Sequence, residues 1–283
     1  MNDDLKTVET PSGKGAADEN FPVGSFLLPK RLRPHVMTYY AFARAIDDIA
    51  DDPDTLPQDK ITGLNAMDDA LLGRNKKPDE TLAKATALRA SMLATNVDLA
   101  HGSDLVSAFR QDAVQSRYNT WDDLIDYCMR SASPVGRYLL ELHGEDKAHF
   151  EYSDALCNAL QVINHLQDCA DDLRDLDRCY LPLEWCEEAG ASVDMLREQA
   201  SPPALRAVQM KCLEGTESLL RLADKLPGKL KSKSLAMESG VIISIAWKLV
   251  DKLKRQDPVA SRVELSKPQF MLYGLKGAIM GLF

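Results

Sequence analysis

The sequence predicts an all-α fold, and three observations predict it. Apolar residues recur at spacings of three and four along almost the whole chain, the period of a helix buried on one side. No segment sustains the period-two alternation of a half-buried strand. Aromatic residues make up only 6% of the 283 residues, too few for a sandwich built on aromatic strand pairs.

The periodic stretches run over 34–51, 57–72, 80–99, 104–116, 121–131, 134–143, 147–176, 192–199, 203–225, 234–255 and 267–282. Breakers stand between them: Pro53, Gly73, Pro78, Gly102, Pro134, Gly144, Pro182, Gly190, Pro202-Pro203, Pro227-Gly228 and Pro258. About ten helices are expected. Residues 1–17 are polar and aperiodic and are expected as a disordered tail. Residues 18–283 are expected to form one domain, because no interior stretch is long and polar enough for a linker. The best candidate, LPGKLKSKS (226–234), reads as an exposed basic loop.

Composition excludes several functions. Hydrophobic residues at 45% and charged residues at 27% suit a globular protein. The net charge of −9, from 43 acidic and 34 basic side chains, disfavours nucleic acid. The N-terminus lacks the apolar core of a secretory signal, and no run of 18 apolar residues exists, so a cytoplasmic location is expected. Six cysteines without a Cys-x-x-Cys pair read as free thiols. His165 and Cys169 lie four apart but have no second ligand pair, which argues against structural zinc. Gly13-Lys14-Gly15 follows no strand and is not a phosphate loop. No Ser-His-Asp or Cys-His nucleophile pattern stands out.

Two stretches carry chemistry. In RPHVMTYYAFARAIDDIADD (33–52), Tyr40, Arg44, Asp47 and Asp51 share one helical face, while Phe42, Ile46 and Ile49 lie opposite. In ALCNALQVINHLQDCADDLRDLDR (155–178), Gln161, Asn164, Asp168, Asp172 and Asp175 form a polar stripe backed by Val162, Leu166, Cys169, Leu173 and Leu176. Carboxylates four apart sit about 6 Å from each other and repel unless a cation lies between them. Mg²⁺ takes hard oxygen ligands, commonly one or two carboxylates plus substrate phosphates. Two such helices flanking a cavity would gather Mg²⁺ around a diphosphate and ease its departure. The alternative for either stripe alone is a solvated acidic face; the apolar backing of both, and Tyr40, Arg44 and Asn164 within them, favour a site.

These residues resemble the squalene/phytoene synthase family, an all-α isoprenoid synthase-type helical bundle with a central cavity between two aspartate-bearing helices. The strongest pieces are YAFARAIDDIADD (40–52) and NHLQDCADDLRDLDRCYLP (164–182), with ENFPVGSFLLP (19–29) and DYCMRSASPVGRYLL (126–140) in support. DENFPVGS, AFARAIDDIADDP and NHLQDCADD are most similar to the hydroxysqualene synthase branch of bacterial hopanoid biosynthesis. The resemblance implies that presqualene diphosphate loses diphosphate, the carbocation rearranges, and water captures it. It implies Mg²⁺ held by Asp47 and Asp51 and by Asn164, Asp168 and Asp172. It implies diphosphate contacts from Arg44, Arg262 and Lys267, and a pocket lined by Phe21, Tyr40, Tyr127 and Gln161. Enzymes before and after it in the squalene pathway are the implied protein partners. Gln167 stands where many head-to-head synthases have arginine, and Trp247 is the nearest aromatic to Ala246, where relatives often have tyrosine. Both departures imply weaker binding of a second diphosphate.

A condensing enzyme making presqualene diphosphate, squalene or phytoene is the second reading, and a non-catalytic assembly protein the third. His165 reads either as a core histidine or as a residue orienting a neighbouring carboxylate. The segment FMLYGLKGAIMGLF (270–283) has one charge in fourteen residues. It is either a helix covering the core or an amphipathic patch on the inner membrane surface, with Lys248, Lys252, Lys254 and Arg255 nearby.

Overall fold

The computed structural model describes residues 27–75 and 79–281. The tail expected over 1–17 and Phe21 lie outside them. Twelve α-helices and two short strands are described, and contacts divide them into two compact units. One runs to Val114 and includes Glu141–Gly144; the other comprises Gln115–Leu140 and Glu145 onward.

The first unit holds α1 (Arg33–Asp51), α2 (Pro57–Leu72), α3 (Ala83–Thr95) and α4 (Ala100–Asp112). Proline stands in the first turn of both α1 and α2, where its missing N–H costs no hydrogen bond. Gly73 ends α2 in the left-handed conformation, φ 72°. α1 packs on the other three helices through the apolar side read from the sequence. Phe42 and Ile46 are fully buried and Ile49 nearly so, each burial stabilising by about 1.5–3 kcal/mol. Asp68 pairs with Arg110 at 2.9 Å, tying α2 to α4. The Tyr39 hydroxyl donates to the His101 carbonyl at 2.9 Å, tying α1 to α4.

The second unit contains β1 (Arg117–Tyr118), α5 (Trp121–Ser131), α6 (Ser133–Leu142, its end counted with the first unit), α7 (Phe150–Gln167), α8 (Cys169–Leu176) and β2 (Cys179–Pro182). It continues with α9 (Leu183–Ala189), α10 (Pro203–Ala223), α11 (Lys233–Arg255) and α12 (Lys267–Met280). α7, α10 and α11 pack mutually and form its core. All six cysteines are free thiols.

The structure departs from the expected elements in five places, the first being Gly102, which reads as a breaker but lies buried inside α4 against Leu71. The single helix expected over 147–176 breaks at Asp168, whose φ of −105° and ψ of 8° leave helical geometry. No glycine or proline marks the break; long-range bonds described below coincide with it. β1 and β2 pair in parallel, yet two and four residues are too few to show alternation, and β2 is buried throughout. α9 follows directly on Pro182, which reads as a breaker but here precedes the helix. The stretch 192–199 is a 3₁₀ segment, Val193–Arg197.

α12 meets α11 main chain to main chain. A methyl added to Gly277 would collide with the Gly240 carbonyl, and one added to Gly281 with the Ala236 carbonyl. The larger side chains Met271, Leu272 and Leu275 are 75%, 63% and 64% exposed. The helix therefore covers α11 and still offers an apolar face outward. The basic cluster beside it is internally paired: Lys248 and Arg255 bond Asp251, Lys254 bonds Glu217, and Lys252 bonds the Glu264 carbonyl. Gly277→Ala is expected to destabilise by about 1–3 kcal/mol, since backbone cannot yield as a side chain can. Hydrogen exchange should rise over 267–281. Gly228→Ala, whose added methyl meets nothing, should stay within about 0.5 kcal/mol. Equal melting curves for the two variants would contradict the crossing.

Candidate active site

In the first unit the polar stripe of α1 is half-buried, as Tyr40, Arg44, Asp47 and Asp51 all show. Arg44 donates from Nη1 to Asp47 Oδ2 at 2.6 Å and from Nη2 to Asp48 Oδ1 at 2.9 Å. Asp48 is buried and anchors the guanidinium from below. Sequence reasoning missed this role, because Asp48 falls off the 3–4 stripe. Asp112, at the end of α4, is a buried acid near enough to act on Asp47. Nothing in its local sequence marks it.

Burial, and next the negative charge of Asp51, push the Asp47 carboxyl up to about 7, against the lowering effect of Arg44. Asp52 serves the turn instead, accepting from the Asp54 N–H and the Thr55 hydroxyl, both at 2.9 Å. Lys60 reaches back to the Ala50 carbonyl at 2.8 Å, satisfying a terminal acceptor of α1.

In the second unit Gln161 and Asn164 lie half-buried on α7, Asp168 at the break, and Asp172 in the first turn of α8. The Asp168 N–H still donates to the Asn164 carbonyl at 3.0 Å, and the Asp172 N–H to the Asp168 carbonyl at 2.8 Å. Asp175 parts from the stripe; it and Asp171 are exposed and bonded by Arg174 at 2.7 and 2.6 Å. Arg262 comes to Asp168, Nη2 to Oδ1, at 3.3 Å. Lys267 is exposed at the first position of α12, with no ion pair among the described residues.

Tyr127 is 3% exposed and belongs to an aromatic cluster. Its ring lies 5.3 Å from Tyr118, 5.7 Å from Tyr180 and 6.0 Å from His165. The His165 ring stacks on Tyr180 at 3.5 Å. Burial, and then the charge of Arg178, push its pKa down to about 3, so the imidazole is neutral. It makes no hydrogen bond to a carboxylate among the described residues, so it does not orient one. Trp247 lies elsewhere, donating to Asp224 Oδ1 at 2.9 Å beside a cleft of about 670 Å³ next to α12.

Each unit offers oxygen donors: carboxylates in the first, carboxylates and one carboxamide in the second. Among the described residues no three His, Cys, Asp or Glu side chains are grouped to hold a metal alone. Hard oxygen donors of this kind suit a cation that keeps waters and takes substrate phosphate. The elevated Asp47 also fits, since it and Asp51 need added positive charge to ionise together.

The shift carries a stability consequence. Asp47 unfolded titrates near 3.8 and folded near 7. Between those values the folded state binds more protons, so its contribution to stability falls as pH rises through the window. With divalent metal chelated, Asp47→Asn is expected to melt above the parent at pH 8, with the gap closing toward pH 4. A gap independent of pH in thermal melts would rule out the shift.

A family model for squalene/phytoene synthase matches residues 15–269. The chain is 40% identical to the hydroxysqualene synthase of Zymomonas mobilis, covering 99% of this chain and 93% of that one. It is 41% identical to the hydroxysqualene synthase of Rhodopseudomonas palustris, covering 93% and 89%. Among solved structures, a squalene synthase from Alicyclobacillus acidocaldarius superposes with a TM-score of 0.72 at 31% identity, covering 83% of this chain and 87% of that one. The helical architecture is thus the isoprenoid synthase fold, and with both acidic stripes inside the matched span, the chain belongs to the squalene/phytoene synthase family.

Proposed function

We propose that this chain converts presqualene diphosphate and water to hydroxysqualene and diphosphate. One observation carries the reading: similarity to hydroxysqualene synthases at about 40% identity runs the length of the chain and takes in both acidic stripes.

The C–O bond to the diphosphate breaks, and the electron pair leaves with it. The cyclopropylcarbinyl cation opens, water adds its oxygen, and a proton is released. Asp47 and Asp51, and Asn164, Asp168 and Asp172, would hold Mg²⁺, which supplies positive charge to the departing oxygens. Arg44 and Arg262 bind the diphosphate oxygens through planar guanidinium forks, and Lys267 adds a point charge. Tyr40 and Gln161, half-buried on their stripes, would border the hydrocarbon chain, and Tyr127 would act from within its aromatic cluster. Aromatic faces stabilise a passing cation by about 0.5–2 kcal/mol each, and a neutral His165 beside them adds no repulsion.

A condensing reaction on two prenyl diphosphates is the second reading, favoured by the name of the Alicyclobacillus relative, a squalene synthase. Product analysis in ¹⁸O water with Mg²⁺ separates them. Presqualene diphosphate is expected to give an ¹⁸O-labelled C30 alcohol, and farnesyl diphosphate no product. A hydrocarbon or presqualene diphosphate formed from farnesyl diphosphate would favour condensation. Asp47→Ala and Asp168→Ala should each lower turnover by at least about 10³-fold with helicity intact. Full activity in both would remove the two-stripe mechanism.

No described helix is long and apolar enough to cross a membrane. We propose instead that α12 rests on an anionic bilayer surface near an insoluble product. Met271, Leu272 and Leu275 would enter the acyl boundary, and exposed Lys276 would meet headgroups. Replacing the three apolar residues by glutamine should weaken binding to phosphatidylglycerol vesicles by at least about tenfold. Unchanged sedimentation with vesicles would leave α12 as a core cover only.

A further inference from the structure

Gln167 ends α7 and is 3% exposed. Its Nε2 donates to the Val263 carbonyl at 2.5 Å, across 96 residues of chain, and Val263 is fully buried. The other end of this amide, Oε1, is buried and accepts no hydrogen bond among the described residues. A buried polar atom left without a partner costs free energy, so what holds the amide here is its donor end.

The neighbouring residues along both strands of chain form the second link. Asp168 follows Gln167, Arg262 precedes Val263, and these two meet at 3.3 Å. The segment leading to Arg262 is fixed separately at its start. Asp257 accepts from the Ser201 N–H and hydroxyl, each at 2.6 Å, and from the Val259 N–H at 3.0 Å. The Arg262 side chain is 51% exposed, and an ion pair that open to water fixes little by itself. Its place therefore depends on the main chain beneath it.

We propose that Gln167 is a positioning residue: by holding the Val263 carbonyl, its amide sets the Arg262 guanidinium at Asp168, where it meets the diphosphate. This rests on the diphosphate reading above. A donor at 167 is required, but a charge is not, and a neutral amide leaves Arg262 as the cation that the segment delivers.

The test is calorimetric binding of inorganic diphosphate with Mg²⁺ to the parent, Gln167→Leu, Arg262→Ala and the double variant. Hydrogen exchange of 258–266 without ligand accompanies it. Gln167→Leu should weaken binding about fivefold to tenfold in the parent, and less than about twofold when Arg262 is already alanine. Exchange over 258–266 should rise in Gln167→Leu. Where the leucine variant fails to fold, Gln167→Asn, one methylene short of Val263, carries the same expectation. Additive effects in a parent that binds diphosphate would overturn the positioning role alone, as would unchanged binding in Gln167→Leu. A parent that binds no diphosphate with Mg²⁺ would overturn the functional reading, and this role with it.

Discussion

Like charges stacked a helical turn apart repel, and the polar contacts of both acidic stripes answer that repulsion. Arginine answers it three times. Arg44 lies between Asp47 and the buried Asp48, Arg174 takes Asp171 and Asp175 at the surface, and Arg262 arrives from distant sequence at Asp168. The apolar back of α1 keeps Asp47 and Asp48 from turning away into water, whereas Asp171 and Asp175 stay exposed. At Asp47 the answer is incomplete: burial and Asp51 outweigh Arg44. What remains is a demand for positive charge at a half-buried oxygen site, the setting in which a divalent cation and a diphosphate suit each other.

The stripe on α1 was fully legible in the sequence, because a regular helix preserves the spacing of its residues and the apolar side had to find a core. The second stripe was legible only in part. Asn164, Asp168 and Asp172 follow a helical count, but the helix stops at Asp168 with neither glycine nor proline to announce it. The interactions that coincide with the break come from Arg262 and Val263, which no local window contains. Asp112 escaped for the same reason, since its nearness to Asp47 is a product of tertiary packing. The two strands were too short to carry a period. Tyr127 was expected to line a pocket, and its burial among Tyr118, Tyr180 and His165 became visible only with β1 and β2 in place.

That aromatic group joins two requirements that normally conflict. A histidine next to a cluster of acids would ordinarily gain a proton, yet burial, and then the charge of Arg178, keep His165 uncharged. The rings of Tyr127 and Tyr180 therefore meet a neutral imidazole rather than an imidazolium.

The glycine crossing of α11 and α12 separates attachment from surface. Because Gly240, Gly277 and Gly281 bring backbone against backbone, the hold on α12 is independent of what its outward residues are. Met271, Leu272 and Leu275 can then drift in size and polarity with little effect on folding, while the three glycines cannot change at all without prying the helices apart. Descendants of this sequence are free to retune the outer face of the last helix to a new environment, provided that the seam beneath it stays bare.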